Sequence, residues 1–213
     1  MYKKLTIAII TTLLLTSCGS LNNALLEKHE TVEYYRIFNI KTDAERNNVI
    51  KAASRGLAKN TNKARETRPI PKSGTLPNKP GRFRLTEPFK GTNIGGIYNL
   101  AGGSNVSLKI AECDDAIWIA KAERDSGSST LNLTACLFQY KQGYHLDLYA
   151  TFNKTSGGIK EVTRQVVYKA VGTPEQWVEK TFLDIVKQIR SETGATFQYL
   201  EGYPEPESTP WLD

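Results

Sequence analysis

The chain has 213 residues, a formal net charge of +6 and a sequence pI near 9.1, with 39% hydrophobic and 23% charged residues. This length fits one domain with short appendages, and the composition excludes both a disordered polyampholyte and a polytopic membrane protein. Two histidines and three cysteines argue against a metal cluster. The basic excess indicates an anionic partner, without saying where the charge lies.

The first 18 residues have the pattern of a targeting segment. Lys3 and Lys4 precede an apolar stretch at 5–15 that is interrupted only by threonines. This stretch is too short to span a bilayer core of ~30 Å as a helix, and it has the length of the apolar region of a signal peptide. It ends in the residues Leu-Thr-Ser-Cys at 15–18, which resemble the lipobox of bacterial lipoproteins.

The resemblance covers residues 1–18 and implies an anchor at Cys18. In such lipoproteins the cysteine thiol receives a diacylglycerol, the peptide is cut before it, and the new amine is acylated, for example with palmitate. Two or three acyl chains hold a protein firmly on a membrane. Gly19 stands where an aspartate favours inner-membrane retention in enterobacteria, so the resemblance implies an outer-membrane protein. We expect the anchored domain to face the periplasm, and exposure on the outer surface is the alternative. The alternatives are an ordinary secretory signal with Cys18 incidental, or a transmembrane helix.

Cys113 and Cys136 then remain as an even pair in an oxidising compartment. Such a pair predicts a disulfide. Two buried free thiols are the alternative, because the spacing alone does not prove a bridge.

Beyond a signal peptide at 1–17, the pattern predicts a tether at 18–31, one domain at 32–200 and a Pro/Glu-rich tail at 201–213. Thr42 and Asp43 offer an N-cap for a helix at 44–58. A capping box of Thr173 and Gln176 begins a second helix, which Gly194 ends. Trp177 lies off the apolar stripe of this helix and is expected to be partly exposed. Segment 60–92 is proline-rich and is predicted to be irregular, with one strand at 82–86. The other predicted strands are 32–41, 97–100, 106–112, 116–124, 131–140, 144–152, 162–171 and 195–200.

Short separators between these strands imply an antiparallel arrangement, since parallel strands need a crossover of a dozen or more residues. The predicted fold class is therefore α+β, with a mainly antiparallel sheet of five to seven strands and two helices packed on one face.

Catalytic and metal-binding patterns are missing from the sequence. His145 and Asp147 lie two residues apart and face the same side of a predicted strand, but no serine or cysteine nucleophile pattern accompanies them. No HExxH or CxxC spacing occurs, and the glycine-rich motif at 91–96 does not lead from a strong strand into a helix. We therefore predict no catalytic residues, no metal and no cofactor, and a structural or surface role for His145.

Segment 41–90 is the strongest functional lead in the sequence. It holds 13 basic and 4 acidic residues. Within it Lys51, Arg55, Lys59 and Lys63 repeat every four residues, which predicts a basic row on one helix face. Nucleic acid is not an expected partner in the periplasm. Lipopolysaccharide, phospholipid headgroups, peptidoglycan carboxylates or an acidic protein face are the candidates, and a merely solvated helix face is the alternative.

These observations give two hypotheses of different classes. The first is a non-enzymatic outer-membrane lipoprotein that binds or scaffolds an anionic envelope partner through the basic segment. The second is a periplasmic ligand-binding or inhibitor-type module that uses the open face of the sheet. An envelope hydrolase is disfavoured, because no catalytic set is visible. Charge reversal at Lys51, Arg55 and Lys59 is the experiment that the sequence suggests for separating the first two.

Overall fold

The computed structural model describes residues 28–70, 74–87, 109–125, 130–157 and 172–206. Several predictions lie outside these ranges: the leader with Cys18, the glycine-rich motif at 91–96, and the strands at 97–100 and 162–171.

A six-stranded sheet with two helices forms the body of the described structure. Its strands follow the order β2-β5-β6-β7-β1-β8 with every neighbouring pair antiparallel, and β3 and β4 form a separate two-stranded sheet. The predicted α+β class is thus confirmed. The elements in chain order are β1 (Lys28–Lys41), α1 (Arg46–Ala58), β2 (Ala64–Thr67), β3 (Arg84–Thr86), β4 (Ile110–Glu112), β5 (Trp118–Asp125), β6 (Thr130–Tyr140), β7 (Gly143–Ser156), α2 (Pro174–Thr193) and β8 (Thr196–Tyr203).

Both helices pack against the same face of the sheet, here called the helix side. Alternate residues of each strand point to this face, because side chains in a strand alternate between the two surfaces. They bury a continuous apolar core with the inner faces of α1 and α2. Core residues with no more than 1% exposure include Phe38, Val49, Leu57, Trp118, Leu133, Leu146, Leu148, Phe152, Phe182 and Ile185.

Gly56 lets α1 and α2 approach closely. A Cβ atom at this position would lie 2.6 Å from the Cα of Ile185 and 2.7 Å from the carbonyl oxygen of Asp184. These distances are shorter than any van der Waals contact, so a larger residue cannot be accommodated without moving one helix. The crossing of the helices therefore depends on this glycine.

Helix α2 begins and ends as predicted. The Thr173 hydroxyl accepts a hydrogen bond from the Gln176 amide N–H (3.2 Å), and the Gln176 side chain accepts one from the Thr173 N–H (3.0 Å). Gly194 ends the helix in the left-handed conformation, with φ of 61°. The capping box and the C-cap glycine are thus confirmed.

The predicted cap of α1 is wrong. The helix begins at Arg46, and its N-cap residue, Glu45, makes no side-chain capping hydrogen bond. Thr42 instead accepts from the Ala44 N–H (3.2 Å) and donates to the carbonyl oxygen of Thr193 at the end of α2 (2.9 Å). The hydroxyl expected to cap α1 therefore joins the approach to α1 with the end of α2.

Trp177 is another correction. It is 9% exposed, and its indole N–H donates to the carbonyl oxygen of Asn60 (3.1 Å), just beyond α1. The apolar stripe of α2 is therefore wider than its spacing suggests, because the chain that follows α1 covers this flank.

Several strands differ in extent from the predictions. Residues 28–31, assigned to the tether, belong to β1 and pair with residues 153–156 of β7. Strand β8 runs through Tyr203 into the predicted tail, and β2 lies within the segment predicted to be irregular. Strand β3 covers only Arg84–Thr86. In the described ranges, neither helix has the length and apolar character needed to cross a membrane.

Candidate ligand-binding surfaces

The face of the sheet away from the helices is partly covered by residues 74–87 and 109–117. Phe83 donates its backbone N–H to the Asp147 carboxylate (2.8 Å), and its ring lies 6.1 Å from that of Tyr35 and 5.5 Å from that of Tyr149. Gly81 lies on the ring of Phe138, where a Cβ would come within 2.6 Å of a ring carbon. The open sheet face of the second hypothesis is therefore closed over this part.

A cysteine pair at disulfide distance links this cover to the sheet. The Sγ atoms of Cys113 and Cys136 are 1.93 Å apart. Cys136 lies on β6, and Cys113 follows β4. The turn after Cys113 swings toward β6, because the Ile117 N–H donates to the Leu137 carbonyl oxygen (2.8 Å). The predicted pairing is thereby present in the structure.

His145 and Asp147 lie beneath the same cover. They are 3% and 0% exposed, and His145 Nε2 is 3.1 Å from Asp147 Oδ1 without hydrogen-bond geometry. The other carboxylate oxygen accepts the Phe83 N–H, so Asp147 holds the covering segment. Both side chains are buried, and the hydrogen bond from Phe83 gives Asp147 a structural part in the cover.

The structure distributes the predicted basic row over three local environments. Lys51 and Arg55 lie on α1, Lys59 is the C-cap residue, and Lys63 follows the helix just before β2. A single helix face therefore does not carry all four side chains.

Arg55 is already engaged within the chain. Its guanidinium binds both carboxylate oxygens of Glu192 on α2, with Nε to Oε1 at 2.7 Å. The hydrogen bonds from Arg55 and then Gln188 hold the pKa of Glu192 below its ordinary value, and Lys59 adds to the effect. The Asp184 pKa is also lowered: burial raises it, but hydrogen bonds from Lys180 and Asn60 outweigh that effect. Arg55 and Lys59 thus lie near carboxylates of α2.

Other arginines of the basic segment are also paired with acidic residues outside it. Arg82 binds Glu201 on β8, and Arg84 binds Asp114 (2.7 Å) and Glu112 (3.2 Å). Part of the charge separation along the sequence is therefore cancelled in space by the folding of the chain.

A small group of cations at the β2 edge of the sheet is different. Arg65 on β2 stands directly opposite Lys121 on β5, and both are exposed. Arg68, also exposed, follows β2. None of the three has an ion-pair partner within the described residues. We call Arg65, Arg68 and Lys121 the basic edge.

Glu66 explains why β2 is held in place although Arg65 and Lys121 carry like charges at facing positions. It points to the opposite side, where its carboxylate accepts hydrogen bonds from the Trp118 indole N–H (2.9 Å) and the Ser54 hydroxyl (2.7 Å). Because successive side chains of a strand point to opposite faces of the sheet, Arg65 points to the same face as Lys121. Sequence spacing did not reveal this pair, because Lys121 lies outside the basic segment and only the strand register brings it to Arg65.

Within the described residues, no group of three or more histidine, cysteine, aspartate or glutamate side chains is arranged to hold a metal ion. The chain matches no protein-family model, and no curated protein is similar to it in sequence. The fold and the basic edge define an α+β protein with a six-stranded antiparallel sheet, two helices on one face and a cationic sheet edge.

Proposed function

We propose that the chain is a non-enzymatic, lipid-anchored outer-membrane lipoprotein that binds an anionic component of the envelope through its basic edge. The lipobox-like residues that end at Cys18 support the anchor and the location. The arrangement of Arg65, Arg68 and Lys121 supports the binding activity.

The facing pair of Arg65 and Lys121 is the observation that carries this proposal. Side chains at directly opposite positions of an antiparallel pair have Cβ atoms about 4.5–5.5 Å apart, and like charges there destabilise the strands. A bound anion between or beside them would remove that repulsion. Arginine presents a planar fork of N–H donors that matches phosphate and carboxylate oxygens, and lysine adds a second point charge.

The basic edge suits this role better than the row on α1. Arg55 is held by Glu192, so an anionic partner would have to displace a carboxylate that is already bound. Reversing the charge of Arg55 would also break a contact between the helices, and a loss of binding would then have two explanations. The experiment therefore needs variants at the edge.

Phosphate-bearing surfaces are the partners that this chemistry favours, and two envelope sources carry them: lipopolysaccharide and anionic phospholipid. The full chain in mild detergent is incubated with lipopolysaccharide or with anionic phospholipid vesicles and sedimented at increasing salt. Binding should weaken as salt rises, because exposed charges are screened within ~10 Å at 0.1 M ionic strength. Peptidoglycan sacculi, which carry carboxylates, are tested in the same sedimentation assay for comparison with the phosphate-bearing partners.

Arg65→Glu is the decisive variant. It converts a repulsive cross-strand pair into an attractive one, so we expect the fold to gain about 0.2–1 kcal/mol while binding falls at least tenfold. Lys51→Glu is the matched control, since it makes the same charge change at an exposed site of α1. Equal losses in both variants, or no loss in Arg65→Glu, would contradict the proposed surface.

The anchor has its own test. Replacement of Cys18 by alanine should abolish incorporation of labelled palmitate and release the chain from the membrane fraction. Continued labelling of Cys18→Ala would show that Cys18 is not the acylated residue.

A further inference from the structure

Ile70, which follows strand β2, is the large hydrophobic residue that the described part of the chain exposes most. It is 91% exposed, whereas Tyr203, the next in order, is 58% exposed. Burial of such a side chain is favourable because its apolar surface leaves water, and the fold leaves this gain unused. Single exposed apolar residues are common on protein surfaces, so the meaning of Ile70 depends on its surroundings.

The surroundings of Ile70 are the basic edge. Arg68 precedes Ile70 by two residues and Arg65 precedes it by five. An extended chain spans at most ~3.3–3.6 Å per residue, so the Cα of Ile70 lies within about 7 Å of that of Arg68 and within about 18 Å of that of Arg65. An exposed aliphatic side chain therefore lies beside cations that have no ion-pair partner among the described residues.

The acidic residues of the two neighbouring strands are kept away from this end of the sheet edge. Glu66 points to the helix side, where its carboxylate is hydrogen-bonded. Glu123 and Asp125 on β5 lie beyond the residue that pairs with the start of β2, whereas Ile70 follows its end at Thr67. The carboxylates of β2 and β5 therefore do not compete for the cations next to Ile70.

The backbone of Ile70 is restricted by its neighbours in the sequence, Pro69 and Pro71. Proline fixes its own φ angle, and it also disfavours the helical conformation for the residue before it. A segment that is already restricted loses less conformational entropy when it binds a partner. Ile70 is thus presented to solvent on a stiff piece of chain.

Cations beside an exposed apolar side chain are typical of a membrane-surface contact. The cations attract anionic headgroups, and the apolar side chain enters the boundary between headgroups and acyl chains. A soluble phosphate would satisfy the cations but would leave Ile70 in water. Lipopolysaccharide occupies the outer leaflet, whereas a domain that faces the periplasm, as expected here, meets phospholipid.

We propose that the basic edge binds the surface of an anionic phospholipid bilayer and that Ile70 inserts among its headgroups. The inference rests on the proposed function, because it uses the same three cations. It names the partner of that surface and adds an apolar residue to the charges that recognise it.

Sedimentation with phosphatidylglycerol-containing vesicles tests the insertion. The full chain carries Cys18→Ala in every sample, so that an acyl anchor cannot hold it on the vesicles and residues 1–17 contribute equally throughout. Ile70→Ala should weaken binding at least fivefold, because most of the inserted side chain is lost. Ile70→Leu should bind like the parent. Leu200→Ala is the matched control, since it shortens an exposed aliphatic side chain on β8, at the opposite edge of the sheet.

The salt dependence separates the apolar contribution from the charges. Ile70→Ala removes no charge, so its binding should fall with salt as steeply as that of the parent, whereas Arg65→Glu should show a shallower fall. An environment-sensitive fluorophore on Ile70→Cys gives a second readout. Its emission should shift to the blue on phosphatidylglycerol vesicles, and the same label on Leu200→Cys should not shift.

The insertion and the basic edge can fail separately in these experiments. Equal binding of the Ile70→Ala and Leu200→Ala chains, or an unshifted emission from position 70 on vesicles that carry the chain, would overturn the insertion. Binding of lipopolysaccharide without binding of phosphatidylglycerol vesicles would also overturn it and would leave the basic edge in place. Unchanged binding of Arg65→Glu would instead contradict the proposed function.

Discussion

Replacing Gly56 by alanine tests whether the close contact of the two helices holds the fold in its observed form. The added Cβ would meet two backbone atoms of α2, the Ile185 Cα at 2.6 Å and the Asp184 oxygen at 2.7 Å. Neither atom can rotate away as a side chain does. Restoring an ordinary contact requires α1 to move outward by about 0.8 Å, a gap that forfeits a quarter to a half of the dispersion attraction across it.

The cost follows from what α1 buries. Val49, Ile50 and Leu57 pack into the core from this helix, and they would lose contact together. Overpacking of this kind costs up to about 3 kcal/mol, whereas alanine in place of a helical glycine returns about 1 kcal/mol. We expect a net loss of about 2 kcal/mol, or a fall in Tm of about 4–8 °C for a chain of this size.

Urea unfolding of the full chain, followed by circular dichroism, measures this loss. Gly74→Ala is the matched control, because a Cβ there has no atom within 4 Å. Its stability should stay equal to that of the parent chain or rise slightly, since alanine restricts the unfolded state more than glycine does. A Gly56→Ala variant as stable as the Gly74→Ala variant would refute the claim that this glycine determines the helix crossing.

Further variants test three other contacts. The Arg36 side chain, which is 1% exposed, pairs with Glu179, which is 35% exposed. Glu179→Gln should therefore lower the free energy of unfolding by about 2–3 kcal/mol, which is less than the loss expected for a fully buried pair. A double Arg36→Met, Glu179→Leu variant should be less destabilised than the sum of its single changes in urea unfolding, and strict additivity would contradict the coupling. The cysteines are 23 residues apart, so replacing both in a Cys113→Ser, Cys136→Ser variant should lower the free energy of unfolding by about 3 kcal/mol. It should also speed proteolysis of the covering segment. Unchanged stability and cleavage would argue against the link. The pKa of Glu192 is lowered from its ordinary value of 4.5. The bond of Glu192 with Arg55 therefore stabilises the fold at pH values above 4.5, and this contribution is lost as the pH falls below that value. Thermal unfolding of Glu192→Gln across this range should therefore show a smaller acid-induced drop in Tm than the parent chain, and an identical drop would contradict this role for Glu192.

Sequence patterns predicted the features of this fold that depend on neighbouring residues. The capping box at Thr173 and the left-handed Gly194 involve groups only a few positions apart, so the local sequence is sufficient to specify them. The cap of α1 failed because Thr42 has a competing acceptor at Thr193, which is remote in sequence. Strand β2 was missed because it is a short edge strand whose residues are mostly exposed, so it lacks the apolar alternation that marks a strand.

Candidate site residues were harder to predict than the fold, for a related reason. A basic row at helical spacing is visible in the sequence, but the carboxylate that binds Arg55 within this row comes from another helix. Glu192, which binds Arg55, is 137 positions away. Conversely, Lys121 lies on a strand whose sequence gives no sign of a basic surface, and only strand pairing places it beside Arg65.

The distribution of charge in space therefore changes which cations are candidates for binding. A cation that is neutralised by a carboxylate of its own chain must give up that contact before it can bind a partner, so Arg55, Arg82 and Arg84 start at a disadvantage. Arg65 gains on binding, because an anion relieves its repulsion with Lys121. The same reasoning ranks the basic edge above the row on α1 as a binding surface. A change that improves folding while weakening binding, as expected for Arg65→Glu, identifies a residue kept for its partner, whereas a change that harms both identifies a structural contact.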